Sequence, residues 1–255
     1  VSLHIKRLEA RLDRRLFTRT SRRVQLTPEG GALVPYARRL LRLQEAAAEA
    51  IGRIGRSQTV RLGISDEQAD AYLPGVLPAF AAAHPEARVE IVCALSPELV
   101  ARLGEGELDL ALAIRHLDDP PAAEVLAIEA LVWVAGPGLD LTPEASLPLA
   151  FSPEGCAFRA RALEALTRRD RPWRILYESQ SPTGLNVAVA SGQALTVKAA
   201  RSVPPGCFVP GPDAGLPPLP PAVVDLHRAP TAMTPAHEDF AALLAAAVKE
   251  GHGPP

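Results

Sequence analysis

The sequence predicts an α/β protein in which a segment with the layout of a winged helix-turn-helix and a long helix precede a two-lobe α/β domain. Three observations support this prediction. A helical pattern followed by an arginine-rich hairpin fills the first thirty residues. A second and longer helical pattern comes next. From Thr59 onward, strand and helix patterns alternate in two successive series, which is typical of two α/β units.

The first element is a helix over residues 1–12, and a hairpin follows it. The apolar residues of the helix recur at helical spacing and are Val1, Ile5, Leu8 and Leu12. One face is therefore expected to pack, while the other is free to meet a partner. Two β-like runs, 16–20 and 23–27, are joined by Ser21 and Arg22, with four arginines in or beside the hairpin. In a winged helix-turn-helix, the helix reads base edges and wing arginines contact phosphates or the minor groove.

The second element is a long helix that runs from Thr27 to about Arg56. Thr27 suits the N-cap, Pro28 the first helical position, and Glu29 the positive end of the helix dipole. Pro35 predicts that the helix either starts near it or bends there. An apolar stripe follows and consists of Leu40, Leu43, Ala47, Ala50 and Ile54. A helix of this length, about 40 Å, favours pairing with a partner helix; the alternative is an amphipathic helix packed on its own domain.

A hinge is predicted at 52–58, where two glycines interrupt the pattern, and the α/β domain follows it. The first series predicts a βαβαβ unit with a mostly parallel sheet. Its strands are 60–64, 88–94 and 108–114, and its helices contain Leu73 to Phe80 and 97–103, the latter stopped by Gly104. The second series comprises strands 125–135, 147–151, 175–178 and 194–198, helices around 157–166 and 182–190, a proline-rich loop 203–221, strand 223–226 and helix 235–249.

The N-terminal segment closely resembles the LysR-type transcriptional regulators. Its residues match the family's pattern at the same spacing, without an insertion or a deletion. The matching residues are Ser2, Ile5, Leu8, Glu9, Leu12, Leu16, Phe17, Arg19, Arg22, Leu26, Thr27, Pro28 and Gly30. The resemblance implies that about thirty further residues precede Val1 in such proteins, so we expect an N-terminally truncated chain with a partial winged helix-turn-helix. A weaker similarity, over residues 60–67 and 108–111, points to the LrhA-like branch of the family.

The resemblance also implies a domain plan. Residues 1–30 would form the partial DNA-binding domain, 31–57 the linker helix and hinge that pair two subunits, and 58–255 an effector-binding domain of the type II periplasmic-binding-protein fold. Within that domain we place lobe I at 58–118 and 229–255 and lobe II at 119–228. The two crossover segments are expected near 115–122 and 227–230.

Candidate binding residues follow from this plan. For DNA we expect Ser2, His4 and Lys6 on the recognition helix and Arg19, Thr20, Arg22 and Arg23 on the wing, with Arg22 the strongest candidate. For a small-molecule effector we expect residues at strand ends beside helix N-termini. They are Ser65, Asp66, Ser96, Phe151, Ser152, Ser179, Ser181 and Thr183. Ordinary helix capping is the alternative role of the serines and threonine. Asp66 occupies a position that is more usually neutral, which disfavours an anionic effector and favours a cationic or neutral one.

Charge distribution and the absence of catalytic motifs argue against two other classes of protein, an exported solute-binding protein and an enzyme. Residues 1–56 hold 13 Lys and Arg against 5 Asp and Glu, a net +8, whereas the remaining 199 hold 14 against 24, a net −10. Only the basic part is therefore expected to meet double-stranded DNA. An exported two-lobe solute-binding protein would need a signal peptide and no basic wing. No nucleotide-binding or hydrolase motif supports an enzyme, so we expect no catalytic residues.

The remaining expectations concern location, partners and cysteines. Neither a membrane-span pattern nor a signal pattern is present, which predicts a cytoplasmic protein. We expect a homodimer or homotetramer, with RNA polymerase as a candidate partner, no cofactor other than an unidentified effector, and no metal. Cys156 and Cys207 could form a redox switch, but no basic motif lowers their pKa, so unreactive thiols are favoured. Cys93 is expected in the core.

Overall fold

The computed structural model describes residues 2–19, 24–51, 59–121, 123–142, 146–230 and 233–252. The N-terminal part contains helix α1 (Ser2–Leu12), strands β1 (Phe17–Arg19) and β2 (Val24–Leu26) and helix α2 (Pro28–Ile51). No helix of the described chain is both long and apolar enough to cross a membrane.

The predicted hairpin is confirmed, since β1 and β2 pair antiparallel with Phe17 opposite Leu26. The Glu9 carboxylate accepts hydrogen bonds from the backbone N–H groups of Leu16 (2.8 Å) and Phe17 (3.2 Å), which fixes the turn between α1 and β1. The connection between the strands, with Thr20, Arg22 and Arg23, lies outside the described residues. On α1, Leu8 and Leu12 remain 37% and 46% exposed, so the described chain covers this apolar face only in part.

Helix α2 begins at Pro28 and continues through Pro35, so the expectation of a start near Pro35 is wrong. Thr27 is the N-cap as predicted, because its Oγ1 accepts from the Gly30 N–H at 3.0 Å. The same hydroxyl donates to the Arg15 carbonyl at 2.7 Å, which ties the start of the helix to the hairpin. The predicted hinge at 52–58 lies outside the described residues.

A five-stranded sheet with strand order β4-β3-β5-β11-β6 forms the first lobe. Its strands are β3 (Thr59–Ile64), β4 (Arg88–Cys93), β5 (Leu110–His116), β6 (Glu124–Glu129) and β11 (Ala222–Arg228). Its helices are α3 (Asp66–Ala83), α4 (Ser96–Glu105) and α7 (Pro235–His252). Helices α3 and α7 pack together over the sheet, with Phe80 and Phe240 in edge-to-face contact at the centre of the core.

A four-stranded sheet with strand order β7-β10-β8-β9 forms the second lobe. Its strands are β7 (Leu131–Ala135), β8 (Leu147–Phe151), β9 (Trp173–Glu178) and β10 (Leu195–Ala199), and its helices are α5 (Ala157–Arg168) and α6 (Pro182–Ala190). The core between α5 and the sheet contains Leu147, Leu149 and Leu166. The predicted parallel βαβαβ unit of the first series is confirmed, because β3 pairs parallel with both β4 and β5. Each complete sheet also contains antiparallel pairs, which strands of the second series contribute.

The predicted crossovers are wrong, because residues 125–135 form two strands in different sheets. Strand β6 pairs with β11 in the first lobe, while β7 pairs with β10 in the second, so the chain crosses between the lobes at Ala130. It returns between β10 and β11, through 200–221, and not near 227–230. Strands β6 and β11 therefore belong to the first lobe, whereas the sequence-based boundaries put them in the second. No glycine or proline marks Ala130, which removes the usual local signal.

Candidate functional site

A cleft between the two lobes has a cavity volume of about 310 Å³. Both lobes contribute to its lining, and the size is that of a small-molecule site. The predicted effector residues that the structure brings together in this lining are Ser65, Asp66, Ser96, Phe151 and Ser152. The other three, Ser179, Ser181 and Thr183, are not among the lining residues, although their neighbours Gln180 and Pro182 are.

Two serines of the first lobe have different roles. Ser65 caps α3, since its Oγ accepts from the Gln68 N–H at 3.4 Å and donates to the Gln68 side-chain oxygen at 3.1 Å. Ser96 lines the cleft, and helix capping, the alternative role considered for it, is wrong because the N-cap of α4 is Leu95. The Ser96 Oγ instead accepts from the Ile114 N–H at 2.8 Å, which joins α4 to strand β5.

On the second lobe, the end of β8 and the start of α5 form the wall. Phe151 is buried at the end of β8, and the Ser152 carbonyl accepts from the Arg159 guanidinium at 3.0 Å. Thr196, which sequence reasoning missed, donates its hydroxyl to the Ala150 carbonyl at 2.7 Å. Ser181 occupies the N-cap of α6 without a side-chain bond. The Ser181 N–H donates to the Ser179 Oγ at 3.0 Å, so these two serines stabilise the loop that leads into α6.

The charges of the cleft are unequal. Its lining holds the carboxylates of Asp66, Glu67 and Glu98 but, among the described residues, the single cation Lys198. Lys198 Nζ forms an ion pair with Glu67, which joins β10 of the second lobe to α3 of the first. The Lys198 side chain is only 5% exposed. Sequence reasoning missed this pair, although a lysine inside the apolar strand LTVKA was a signal, because lysine is almost never buried unless it is paired.

The cysteines show no activated thiol. Burial raises the pKa of Cys156 at the N-cap of α5, and burial also raises the pKa of Cys207. Cys93 is exposed and lines the cleft, so its expected core position is wrong, the reason being that β4 is an edge strand. Partial burial and the charges of Asp66 and Asp70 raise its pKa. The described residues contain no group of three or more potential metal ligands.

The long helix α2 contacts the first lobe at the end of α4 that is remote from the cleft. The Arg38 guanidinium lies 3.1 Å from a Glu105 carboxylate oxygen and 2.6 Å from one of Glu107. Helix α4 starts at the cleft with Ser96 and ends with Glu105. One rigid element therefore touches both the cleft and the long helix.

The residues expected to contact DNA are described in part. His4 and Lys6 are exposed on α1, which leaves them free to meet a partner. Ser2 begins α1, and Arg19 ends β1. Thr20, Arg22 and Arg23 lie outside the described residues.

Two protein families match the chain. The family described as the bacterial regulatory helix-turn-helix protein, lysR family, matches residues 1–31, and the LysR substrate binding domain matches residues 53–249. The chain belongs to the LysR family of transcriptional regulators. The second match covers the two lobes and the cleft, so the family resemblance of the N-terminal segment extends to the rest of the chain. The LrhA-like branch stays a prediction.

Relatives with assigned names agree with the family. The chain is 39% identical over 220 residues to the HTH-type transcriptional regulator DgdR of Burkholderia cepacia, covering 86% of this chain and 74% of that protein. It is 30% identical over 230 residues to the regulator PecT of Dickeya dadantii, covering 90% and 72%. The protein is thus a LysR-type DNA-binding transcriptional regulator, and an exported solute-binding protein is not favoured.

Solved structures support the fold. A single-substitution variant of full-length OxyR from Pseudomonas aeruginosa aligns with a TM-score of 0.63 at 22% identity, covering 97% of this chain and 87% of that one. Vibrio fischeri DarR in complex with DNA aligns with a TM-score of 0.60 at 21% identity, covering 96% and 87%. The α/β fold with a two-lobe effector-binding domain is therefore confirmed.

Proposed function

We propose that a small neutral or cationic molecule binds in the cleft of this LysR-type regulator and changes its DNA binding. The proposal rests on the cleft, because both lobes contribute to its walls. Among the described residues of its lining, three are acidic (Asp66, Glu67 and Glu98) and one, Lys198, is basic. A ligand that contacts both walls binds the closed arrangement of the lobes more tightly than the open one. This difference in affinity allows the ligand to shift the protein from one conformation to the other. The proposal assigns no catalytic residue.

DNA is proposed to meet residues 1–30, with residues 31–57 connecting them to the effector-binding domain. Ser2, His4 and Lys6 would face base edges in the major groove. Arg19, Thr20, Arg22 and Arg23 would contact phosphates or the minor groove. Since the chromosome is the target, the cytoplasm is the expected location, and RNA polymerase is the further partner expected at a promoter.

A second copy of the chain is the proposed partner of α2. Tyr36, Leu40 and Leu41 are 61%, 67% and 60% exposed on this helix, an apolar surface that the described chain leaves uncovered. A paired helix would bury it and set the spacing of two DNA-reading segments on a roughly palindromic site. A homodimer or homotetramer follows.

Helix α4 is proposed to transmit the effector signal. Its first turn borders the cleft through Ser96 and Glu98, and its last turn meets Arg38 of α2. When the lobes close on an effector, a shift of α4 changes the angle of α2 and hence of the DNA-reading segments.

A ligand screen on the full-length protein tests the proposal. Thermal unfolding should detect effectors, since a ligand at 100 times its Kd adds about 2.7 kcal/mol of stability. Ser152→Trp should fill the cleft and abolish the response, whereas Ser191→Trp, at the exposed C-terminal end of α6, should keep it. A response that survives Ser152→Trp would place the effector elsewhere. Retardation of promoter DNA, with and without the ligand, then measures regulation.

A further inference from the structure

The ion pair between the buried Lys198 and the half-buried Glu67 is the feature from which the effector's chemistry can be inferred. Glu67 lies in the first turn of α3, and Lys198 lies on β10, so the pair joins the two walls of the cleft. Both residues line the cavity. In the described part of the chain, Glu67 is the acceptor that the Lys198 ammonium contacts. A ligand that changes the contact between the two walls must therefore compete with this pair for one or both of its charged groups.

Replacement is costly if it leaves one charge without a counter-ion. A ligand with a carboxylate alone could take Lys198, but Glu67 would then lose its cation beside the negative Asp66 and Glu98. A ligand with an ammonium alone could take Glu67, but Lys198 would be left buried and unpaired. Leaving the buried Lys198 without a counter-ion is strongly destabilising, and the half-buried Glu67 would share the cleft with two other carboxylates, so neither exchange is favourable.

A ligand that binds only Asp66 or Glu98 would not change the contact between the walls. It would leave Glu67 and Lys198 paired, and the lobes would be held as they are without it. A ligand shifts a conformational equilibrium only by its difference in affinity for the two states. An effector of this kind would bind without switching.

A zwitterion solves both problems. We propose that the cleft binds a small molecule with one carboxylate and one ammonium group, its carboxylate on Lys198 and its ammonium on Glu67. One ion pair then becomes two, and no buried charge loses its partner. The remaining carboxylates, Asp66 and Glu98, disfavour a net anion, in agreement with a ligand whose own charges cancel. This inference rests on the proposed function, because it takes the cleft as the effector site.

Calorimetric titration of the full-length protein tests the inference. The probes are glycine, β-alanine, γ-aminobutyrate and the L-α-amino acids, each with the amine that lacks its carboxylate and the acid that lacks its ammonium group. At least one zwitterion should bind at least tenfold more tightly than both of its analogues. An amine or an acid that binds as tightly as the zwitterion would overturn the inference, and so would a panel in which nothing binds.

Variants assign the contacts. Glu67→Gln and Lys198→Gln should each weaken zwitterion binding at least tenfold. The double variant Glu67→Gln/Lys198→Met removes both charges together, so neither charge is left without a counter-ion. This variant should therefore fold but no longer bind the ligand. Lys249→Gln, which removes an exposed lysine 3.7 Å from Glu124, should leave the Kd unchanged. An unchanged Kd in the double variant would contradict the inference.

The same variants separate this inference from the proposed function. If a neutral or purely cationic ligand binds and Ser152→Trp abolishes it, the cleft is the effector site and the zwitterion is wrong. If a zwitterion binds with the same Kd in wild type and Ser152→Trp, the proposed site itself fails, and the inference fails with it.

Discussion

Arg161 of the second lobe donates its Nε–H to the Nδ1 atom of His116 in the first lobe, at 2.9 Å. The same guanidinium contacts Asp118 at 2.9 Å and Glu164 at 2.8 Å. Because Nδ1 must accept this hydrogen bond, His116 has to be neutral there. The contact between α5 and the end of β5 therefore depends on the protonation of one imidazole.

Acidification should weaken this contact. Burial and the charge of Arg161 lower the pKa of His116, against the opposite effect of Asp119, Glu164 and Asp118. The unfolded chain therefore binds a proton at higher pH than the folded one. The stabilisation is present above about pH 6.5, the ordinary histidine value, and is lost as pH falls toward the lowered folded pKa. Between pH 7.5 and 5.5, wild type should lose more thermal stability than His116→Gln.

Burial also lowers the pKa of His227, so some acid sensitivity should remain in the His116→Gln variant. His4→Gln, which removes an exposed imidazole from α1, serves as the control. Equal losses of stability in wild type and His116→Gln would show that the Arg161 contact does not depend on pH.

Arg38 should be needed to couple the lobes to the DNA-reading segment. Arg38→Glu places a third carboxylate beside Glu105 and Glu107, and the repulsion should separate α2 from α4. Footprints on promoter DNA should then change in length or spacing. The triple variant Arg38→Glu/Glu105→Arg/Glu107→Arg should restore them by reversing the pair. Arg168→Glu, whose partner Glu164 lies on its own helix, is the control; a footprint that Arg38→Glu leaves intact would exclude this route.

Gly30 should be irreplaceable, in contrast to its neighbour. A Cβ at Gly30 would lie 2.1 Å from the Leu16 carbonyl oxygen, so Gly30→Ala should push α2 from the hairpin at a cost of about 1–3 kcal/mol. A Cβ at Gly31 meets nothing within 4 Å, and Gly31→Ala should stabilise the helix by up to about 1 kcal/mol. Thermal unfolding and DNA affinity measured on both variants check this, and equal effects of the two would refute it.

Arg22 should contribute one phosphate contact. In Arg22→Ala, DNA binding should weaken and the slope of log K against log salt should flatten by about one counterion. Arg88→Ala, an exposed arginine of the first lobe, should leave the slope unchanged. Fluorescence anisotropy across a salt series measures both; identical slopes for wild type and Arg22→Ala would argue against a phosphate contact at this position.

Elements with strong local signals were predictable from the sequence. Strand β8 and helix α6 have the predicted bounds, 147–151 and 182–190, because an apolar run and a Ser-Pro start define them locally. The lobe boundaries were not predictable, because strand patterns do not state which sheet a strand joins. The crossing at Ala130 became visible only through the pairing of β6 with β11.

The candidate site was predictable to a similar extent. Five of the eight expected effector residues line the cleft, since strand ends in one sheet meet at one edge. The hydrogen bond that Ser96 accepts could not be predicted, because its donor, the Ile114 N–H, lies on a strand 18 residues further along the chain. The Glu67–Lys198 pair joins residues 131 positions apart, and no local pattern can connect them.

The position of β11 has a consequence for the order in which the protein folds during synthesis. The second lobe draws its sheet from the continuous segment 131–199, so all its strands have been synthesised before β11. The first lobe begins earlier but cannot finish, because β11 lies between β5 and β6 and α7 supplies Phe240 to its core. The lobe that is translated first is therefore the last to be completed, and the cleft forms only once the C-terminal helix is in place.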